Sequence, residues 1–565
     1  MAREKNGKNE HWESNLGVVL AVAGSAVGLG NFLRFPGLVA IHGGAAFMIP
    51  YFISLLIVAL PIAWSEWALG RHGGRCGYHS LPGIYRAAGN RKTFWTASGG
   101  LVALVPLGIC MFYIFVEAWC LLYALQYLGG CLRPLGVEFS FFPTVESGFK
   151  LSNPDAYKDA FYGFIGADAD GALLQNWWKS PLLWATLVCA VANFTLVYCG
   201  IAKGIERFCK IATPLLLLCA FLVICRVATL GDFEGRSFVD GLGYMWNPTR
   251  PVLDANGAVV GQTSVWSALG NPGIWLAATS HIFFSASLCV GAIATYASYV
   301  KANKDVALSS LTAVSANSFC EVALGGLMTV PAAIMFLGIL GPESFNSSFT
   351  IGFIVLPNVF GGMPGGEFFG FSFFSLLFIA GITSSVSQAQ PAVAWTKETL
   401  KLSRGPSVLL TAAVSLGGTA LVCRYTKGAA ALDAFDFWIA TFMPFIVVFL
   451  QTVLVAWVWG ADKMTSELWR GGKIRVPRCV GALLKYLTTP YLALIFLFWL
   501  LDKNGGARIV GDARDPVWMK VAFFLVVVGA AMVVLTIVAS KRWRVEEEEA
   551  ARQSGEKNEA TDVSA

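Results

Sequence analysis

Gly24-Ser25-Ala26-Val27-Gly28-Leu29-Gly30-Asn31 interrupts what is otherwise an apolar helical segment. The run Leu16 to Ala23 precedes it and Asn31-Phe32-Leu33-Arg34-Phe35-Pro36 follows, which places three glycines, a serine and an asparagine near the middle of a bilayer. At that depth every backbone N–H and C=O needs a partner inside the protein. Small and polar residues there release backbone to grip something polar. A second stretch of this kind, Ser285-Ala286-Ser287-Leu288-Cys289-Val290-Gly291, occupies the matching place five spans later.

Working outward, the 565 residues are 56% hydrophobic and 13% charged, with a formal charge of +6. Soluble domains carry about 25% charged residues, so the chain reads as an all-α integral membrane protein. A crossing takes about 20 residues. Apolar segments predict twelve transmembrane helices at 16–37, 44–70, 96–128, 181–199, 208–228, 272–299, 308–338, 367–399, 407–424, 435–460, 480–502 and 517–540. Basic residues gather at the N-terminus (Arg3, Lys5, Lys8), after the second span (Arg71, Arg75, Arg86, Arg91), after the tenth (Lys463, Arg470, Lys473) and after the twelfth (Lys541, Arg542, Arg544). Such a bias faces the cytoplasm, so both termini are expected there. It also accounts for the net charge without a nucleic-acid partner. The N-terminal residues lack a cleavable signal pattern, and the thirteen scattered cysteines show no zinc or CxxC spacing. With no HExxH, nucleotide-binding loop or GxSxG, nothing argues for an enzyme.

Residues 1–15 read as a cytoplasmic lead, 16–460 as a ten-helix core and 461–540 as two further spans. Residues 541–565, with four consecutive glutamates from Glu546, read as a disordered cytoplasmic tail. Long outer loops are expected at 129–180, 229–271 and 339–366, the last turning back near Gly361-Gly362-Met363-Pro364-Gly365-Gly366. If 16–228 and 272–460 are two copies of five helices, the odd number forces opposite orientations, an inverted repeat.

The first break offers bare carbonyls and the Asn31 amide, oxygen ligands that suit a hard cation such as Na+ without a buried carboxylate. The spacing of Gly24 and Gly28 also serves close helix packing. Likewise Thr383-Ser384-Ser385 can bond the carbonyls of its own helix. Glu321, a lone carboxylate within the seventh span, is expensive unless it has a role.

The first break resembles the neurotransmitter:sodium symporter family, above all its prokaryotic amino-acid members such as LeuT. So do Gly43-Gly44-Ala45-Ala46-Phe47-Met48-Ile49-Pro50-Tyr51, Glu66-Trp67-Ala68-Leu69-Gly70-Arg71, Ile282-Phe283-Phe284-Ser285, Thr295-Tyr296-Ala297-Ser298-Tyr299, Thr383-Ser384-Ser385 and Asp436-Phe437-Trp438. The resemblance covers the first ten spans well and the outer loops poorly. It implies a LeuT-like 5+5 inverted repeat with helices 1 and 6 unwound. It also implies sodium-coupled import of a neutral L-amino acid by alternating access, with two Na+ and no organic cofactor, in a prokaryotic inner membrane. A homodimer is left open.

Carried over by position, the first sodium site would use Ala26, Asn31, Ser285 and Asn317 together with the substrate carboxylate. The second would use Gly24, Val27, Ala380, Thr383 and Ser384. In the substrate pocket, amides near Leu29 and Gly30 and the Tyr113 hydroxyl would hold the carboxylate. Carbonyls of Ala26 and Phe284, with Ser285, Ser287 and Ser384 nearby, would hold the ammonium group. Gly28 stands where amine-carrying members have a carboxylate, which implies a zwitterionic substrate. Ser25, Ile109, Val290 and Gln388 replace Asn, Val, Phe and Ile of the leucine carrier, so a larger or more polar substrate than leucine is expected. Arg34 and Asp436 would form the outer gate under the cap of Phe284. Trp12, Tyr299 and Glu398 would form the inner one, with Asn9 where the family has Arg and Lys8 beside it. Glu321, with Tyr51 and with His281 where Gln is usual, would take the place of chloride, implying chloride-independent transport and proton counter-transport. The rival reading is a sensor that keeps the pocket without turnover.

Overall fold

The computed structural model describes residues 12, 15–142, 149, 151, 154–233, 235–253, 259–288, 290–337, 351–501 and 515–562. Among them, ten helices are long and apolar enough to cross a membrane: Ala45–Arg75, Thr93–Leu135, Pro181–Cys199, Ile201–Ala228, Val306–Phe336, Gly366–Thr399, Arg404–Arg424, Lys427–Trp469, Cys479–Phe498 and Pro516–Glu549. They coincide with ten of the segments read from hydropathy.

At the remaining two positions the helix stops and restarts. Asn15–Ala26 gives way to a widened turn, Gly30–Arg34, before Phe35–His42. Pro272–Ser285 gives way to turns before Ala292–Ser298. Each piece alone is shorter than a bilayer crossing. The second interruption has a direct backbone cause: Ser287 (φ 51°) and Gly291 (φ 82°) are left-handed, a conformation no α-helix continues through.

Helix Thr93–Leu135 is buried along nearly its whole length and lies against Gly366–Thr399, forming the scaffold on which the broken pair rests. Close approach explains two glycines. A Cβ on Gly70 would collide with the Ala294 carbonyl, and one on Gly325 with the Asn31 carbonyl. Asn31, Glu321 and Asp436 all sit on widened, π-type turns (Gly30–Arg34, Cys320–Gly326, Asp436–Phe442). Such turns loosen the local ladder and re-aim side chains, and they recur at functional positions.

The loop regions carry structure that hydropathy does not show. Thr249–Leu253 and Val259–Ser264 pair as an antiparallel hairpin. In the third long loop, Ile351–Val355 and Leu356–Gly362 turn back into the protein, where Phe353 is buried against the rings of Trp119 and Phe161. The terminal helix runs Pro516–Asp562, so most of the segment read as a disordered tail lies within its described length. Its Glu and Arg residues are good helix formers paired at i,i+4, as in Arg544–Glu548 (2.9 Å). Docking holds it as well. Glu547 meets Tyr78 and Arg86 (Nη2–Oε2 2.9 Å), and Arg542 donates to the carbonyls of Glu398 (3.2 Å) and Thr399 (3.0 Å).

Arg71 is fully buried and bonds Glu467 Oε1 (2.9 Å) and the carbonyls of Lys304 (2.7 Å) and Arg470 (2.9 Å). Glu467→Ala would leave a buried cation without its counter-ion and should cost about 3–5 kcal/mol. A clear drop in unfolding temperature in detergent is the expected result. Arg75, whose side chain is 35% exposed, also meets Glu467, but Arg75→Ala should cost only about 0–1 kcal/mol.

Candidate functional site

The two helix breaks meet directly, Ser287 Oγ donating to the Ser25 carbonyl (3.0 Å), and the residues expected for the first sodium site converge there. Asn31 is fully buried. Its Oδ1 accepts the Gly28 N–H (2.8 Å), and its Nδ2 donates to the Asn317 carbonyl (3.3 Å) and to Asn317 Oδ1 (2.7 Å). That same Oδ1 lies 3.0 Å from the Ala26 carbonyl oxygen and 3.3 Å from that of Ser285. Turning the Asn317 amide over would let it donate to both carbonyls. It would also press its NH2 against that of Asn31, whose orientation the Gly28 amide fixes. In either orientation the Asn317 amide lies within 3.0 Å of the Ala26 carbonyl and 3.3 Å of the Ser285 carbonyl, so three oxygen-bearing groups meet at one buried spot. Oxygen spacings of about 3 Å arise when ligands share a cation about 2.3–2.6 Å away. Asn317 also donates to Ser285 Oγ at 3.4 Å. The donor set fits Na+: neutral oxygens, dry surroundings and no competing carboxylate.

The residues expected for a second cation are brought to adjacent helices, with their hydroxyls committed elsewhere. Thr383 donates to the carbonyls of Ile379 (3.0 Å) and Ala380 (3.1 Å) in its own helix. Ser384 donates to the Ser25 carbonyl (3.2 Å), and Val27 N–H closes the last helical bond to Ala23 (2.7 Å). A Cβ placed on Gly24 would lie 3.6 Å from Thr383 Cβ and 3.5 Å from Thr213 Oγ1. That Thr213 hydroxyl is buried and has no partner. No pattern in the sequence marks it.

Around the breaks, the groups expected to hold an amino acid meet one another. Leu29 N–H donates to Tyr113 Oη (3.2 Å), and Ser287 Oγ donates to the Ser25 carbonyl (3.0 Å). Ser25, Ala26, Ile109, Ser285, Val290 and Gln388 are all buried at this level. Gly28 keeps Ser384 and Tyr113 close, since a Cβ there would stand 2.7 Å from Ser384 Oγ and 3.2 Å from Tyr113 Oη. The Phe284 ring lies just beyond Gly30, and the Arg34 guanidinium sits over it at 4.9 Å. Asp436 opens its widened turn in the helix Lys427–Trp469, partly exposed.

At the opposite end Trp12 is buried, donating to the Tyr296 carbonyl (3.2 Å) and meeting the Tyr296 ring edge-on at 5.2 Å. Tyr299 stacks on His79 at 4.3 Å. Glu398 accepts from His79 N–H (2.6 Å) and Ser80 Oγ (2.5 Å), anchoring the turn before Leu81–Ala88. Lys8 and Asn9 lie outside the described residues.

Two buried carboxylates stand beside this core. Glu321 takes a hydrogen bond from Tyr51 and pairs with His281 Nε2 at 3.0 Å, both side chains fully buried; His281 Nδ1 has no partner. Glu117 was not singled out from the sequence. It receives both Asn193 Nδ2 bonds (3.1 and 2.9 Å) and the Ser385 hydroxyl (2.8 Å), linking three helices one turn beyond Tyr113. The signal that flags Glu321, a lone carboxylate in mid-span, applies to it equally.

Comparison with known proteins identifies the family. The model of the sodium:neurotransmitter symporter family matches residues 9–133 and 179–545. An uncharacterised sodium-dependent transporter of Methanocaldococcus jannaschii is 28% identical, covering 85% of this chain and 87% of its own length. The human inactive sodium-dependent neutral amino acid transporter B(0)AT3 is 24% identical, over 86% of this chain and 83% of that protein. The crystal structure of MhsT in complex with L-phenylalanine superposes with a TM-score of 0.70 at 25% identity, covering 87% of this chain and 99% of MhsT. The chain is a multi-pass membrane protein belonging to the sodium:neurotransmitter symporter family, whose members are sodium-dependent transporters and not enzymes.

Proposed function

We propose that this protein imports a neutral L-amino acid together with two sodium ions by alternating access. In this reading twelve spans form a LeuT-like 5+5 inverted repeat with helices 1 and 6 unwound, in a prokaryotic inner membrane with both termini cytoplasmic. The carrying observation is the set of oxygens from Ala26, Ser285 and Asn317 that face one another beside the paired Leu29 amide and Tyr113 hydroxyl. A sodium ion there would draw these oxygens together and tie the first break to the second. The Leu29 amide and Tyr113 hydroxyl are donors for a substrate carboxylate, whose second oxygen is free to join the same ion.

Gly24, Val27, Ala380, Thr383 and Ser384 would hold the second ion once the two hydroxyls turn from the carbonyls they now bond. Phe284 beneath Arg34 would cover the outer side, with Asp436 as its partner, and Trp12, Tyr299 and Glu398 would close the inner side. Each sodium crossing about 100 mV yields roughly 2.3 kcal/mol, and a tenfold gradient adds about 1.4 kcal/mol. Two ions thus supply about 7 kcal/mol, enough for roughly 10⁵-fold accumulation of a neutral solute.

The test is uptake by reconstituted vesicles across a panel of amino acids, with Na+ or K+ outside. Accumulation that requires Na+ is expected. Sodium-dependent binding without accumulation would instead identify a sensor.

A further inference from the structure

We infer that the side-chain end of the pocket selects neutral amino acids whose side chain donates a hydrogen bond. The inference rests on the amino-acid transport reading and names the substrate class of that same site.

Ser384 reaches the Ser25 carbonyl (3.2 Å), so its stripe of helix Gly366–Thr399 faces the first break. Gln388 lies one turn further along that stripe, because residues four apart share a helix face. Gln388 is only 5% exposed, and its Oε1 has no partner. Most hydroxyls of this helix are satisfied, those of Ser372, Thr383, Ser387 and Thr396 each bonding a carbonyl one turn back, while the unpartnered Thr399 Oγ1 lies about three turns further along, at the helix end. Gln390 Oε1 is also unpartnered, but its position lies about 200° around the helix from this stripe. A second unpaired group stands across the break: Ser25 Oγ, on a residue 3% exposed. The remaining wall is apolar, with Ile109 one turn before Tyr113 and Val290 inside the second break.

Buried polar atoms are almost always paired, and an unpaired one at a ligand site points to what the ligand supplies. An aliphatic side chain in this space would leave the Gln388 oxygen desolvated and unmatched. An indole N–H, a phenol or alcohol O–H, or a carboxamide NH2 would satisfy it. A carboxylate or an ammonium would each be buried with only neutral partners. Neutral donors remain.

Sites built to bond a substrate donor reject analogues lacking it far more strongly than apolar pockets reject a missing methylene. The experiment is competition for sodium-dependent binding to the purified protein, using pairs matched in size: threonine against valine, tyrosine against phenylalanine, glutamine against leucine. The donor-bearing member should win by about tenfold or more in at least the pairs that fit. Gln388→Leu should bring each pair to within about twofold, chiefly by improving the apolar member, and Ser25→Ala should narrow the gap by less. Should Gln388→Leu fail to express, the wild-type panel and Ser25→Ala decide alone. Equal or stronger binding of the apolar members to the wild type overturns this inference and leaves amino-acid transport standing. No sodium-dependent binding of any amino acid overturns both.

Discussion

Gly28→Asp should cut uptake of zwitterionic amino acids by 100-fold or more. The new Cβ would stand 2.7 Å from Ser384 Oγ and 3.2 Å from Tyr113 Oη, so the Ser384 hydroxyl must swing aside and give up the Ser25 carbonyl. The larger effect is electrostatic. The added carboxylate would lie beside the Leu29 amide and Tyr113 hydroxyl, the donors assigned to the substrate carboxylate. Two like charges about 4 Å apart repel by about 4 kcal/mol at an effective dielectric of 20, nearly a thousandfold in binding. Gly28→Ala carries only the steric part and should lose about tenfold or less. An amine without a carboxylate, such as phenethylamine, should bind Gly28→Asp better than it binds the wild type. Undiminished amino-acid uptake by Gly28→Asp would remove the carboxylate from this position.

Replacing chloride by gluconate should leave wild-type uptake unchanged, whereas Glu321→Ser should lose at least tenfold in gluconate and recover most of it in chloride. The Glu321 carboxylate is the acceptor shared by the Tyr51 hydroxyl and His281 Nε2, with no exposure to solvent on either side of the His–Glu pair. Shortening it to Ser removes a negative charge and leaves both donors pointing at vacated volume. A small anion is the simplest group to restore that balance. Chloride dependence of the unaltered protein would end the assignment. If protons are carried back, for which the buried His281–Glu321 contact would be the site, sodium-driven uptake should alkalinise the vesicle lumen.

Much of the helical arrangement was readable because apolar runs and small-residue interruptions are local features. Pro181–Cys199 coincides with the span read from hydropathy, its start marked by Ser180 capping the helix and Pro181 at its first position. The stretches around Gly28 and from Ser287 to Gly291 stood out by their clustered small and polar residues, although Gly381, Ser384 and Ser385 lie within the unbroken helix Gly366–Thr399. What escaped was set by pairing across the chain. The tail beyond residue 541 has the composition of a disordered segment, and the distant Tyr78, Arg86 and Lys401 are among the groups its glutamates bind. Glu117 depends on Asn193 and Ser385, 76 and 268 residues away. Glu398, expected to face the N-terminus, bonds His79 and Ser80, a meeting that no spacing rule foretells.

The grip of the last helix on the residues around Glu398 has a practical corollary. A fusion partner or purification handle spliced in directly behind Trp543 would strip Arg86 of its carboxylate and loosen Arg542 from the two peptide oxygens it holds. Shortened versions made for crystallisation would lack this clamp beside the Glu398 turn. Kinetics measured on them would describe the scissors as much as the carrier.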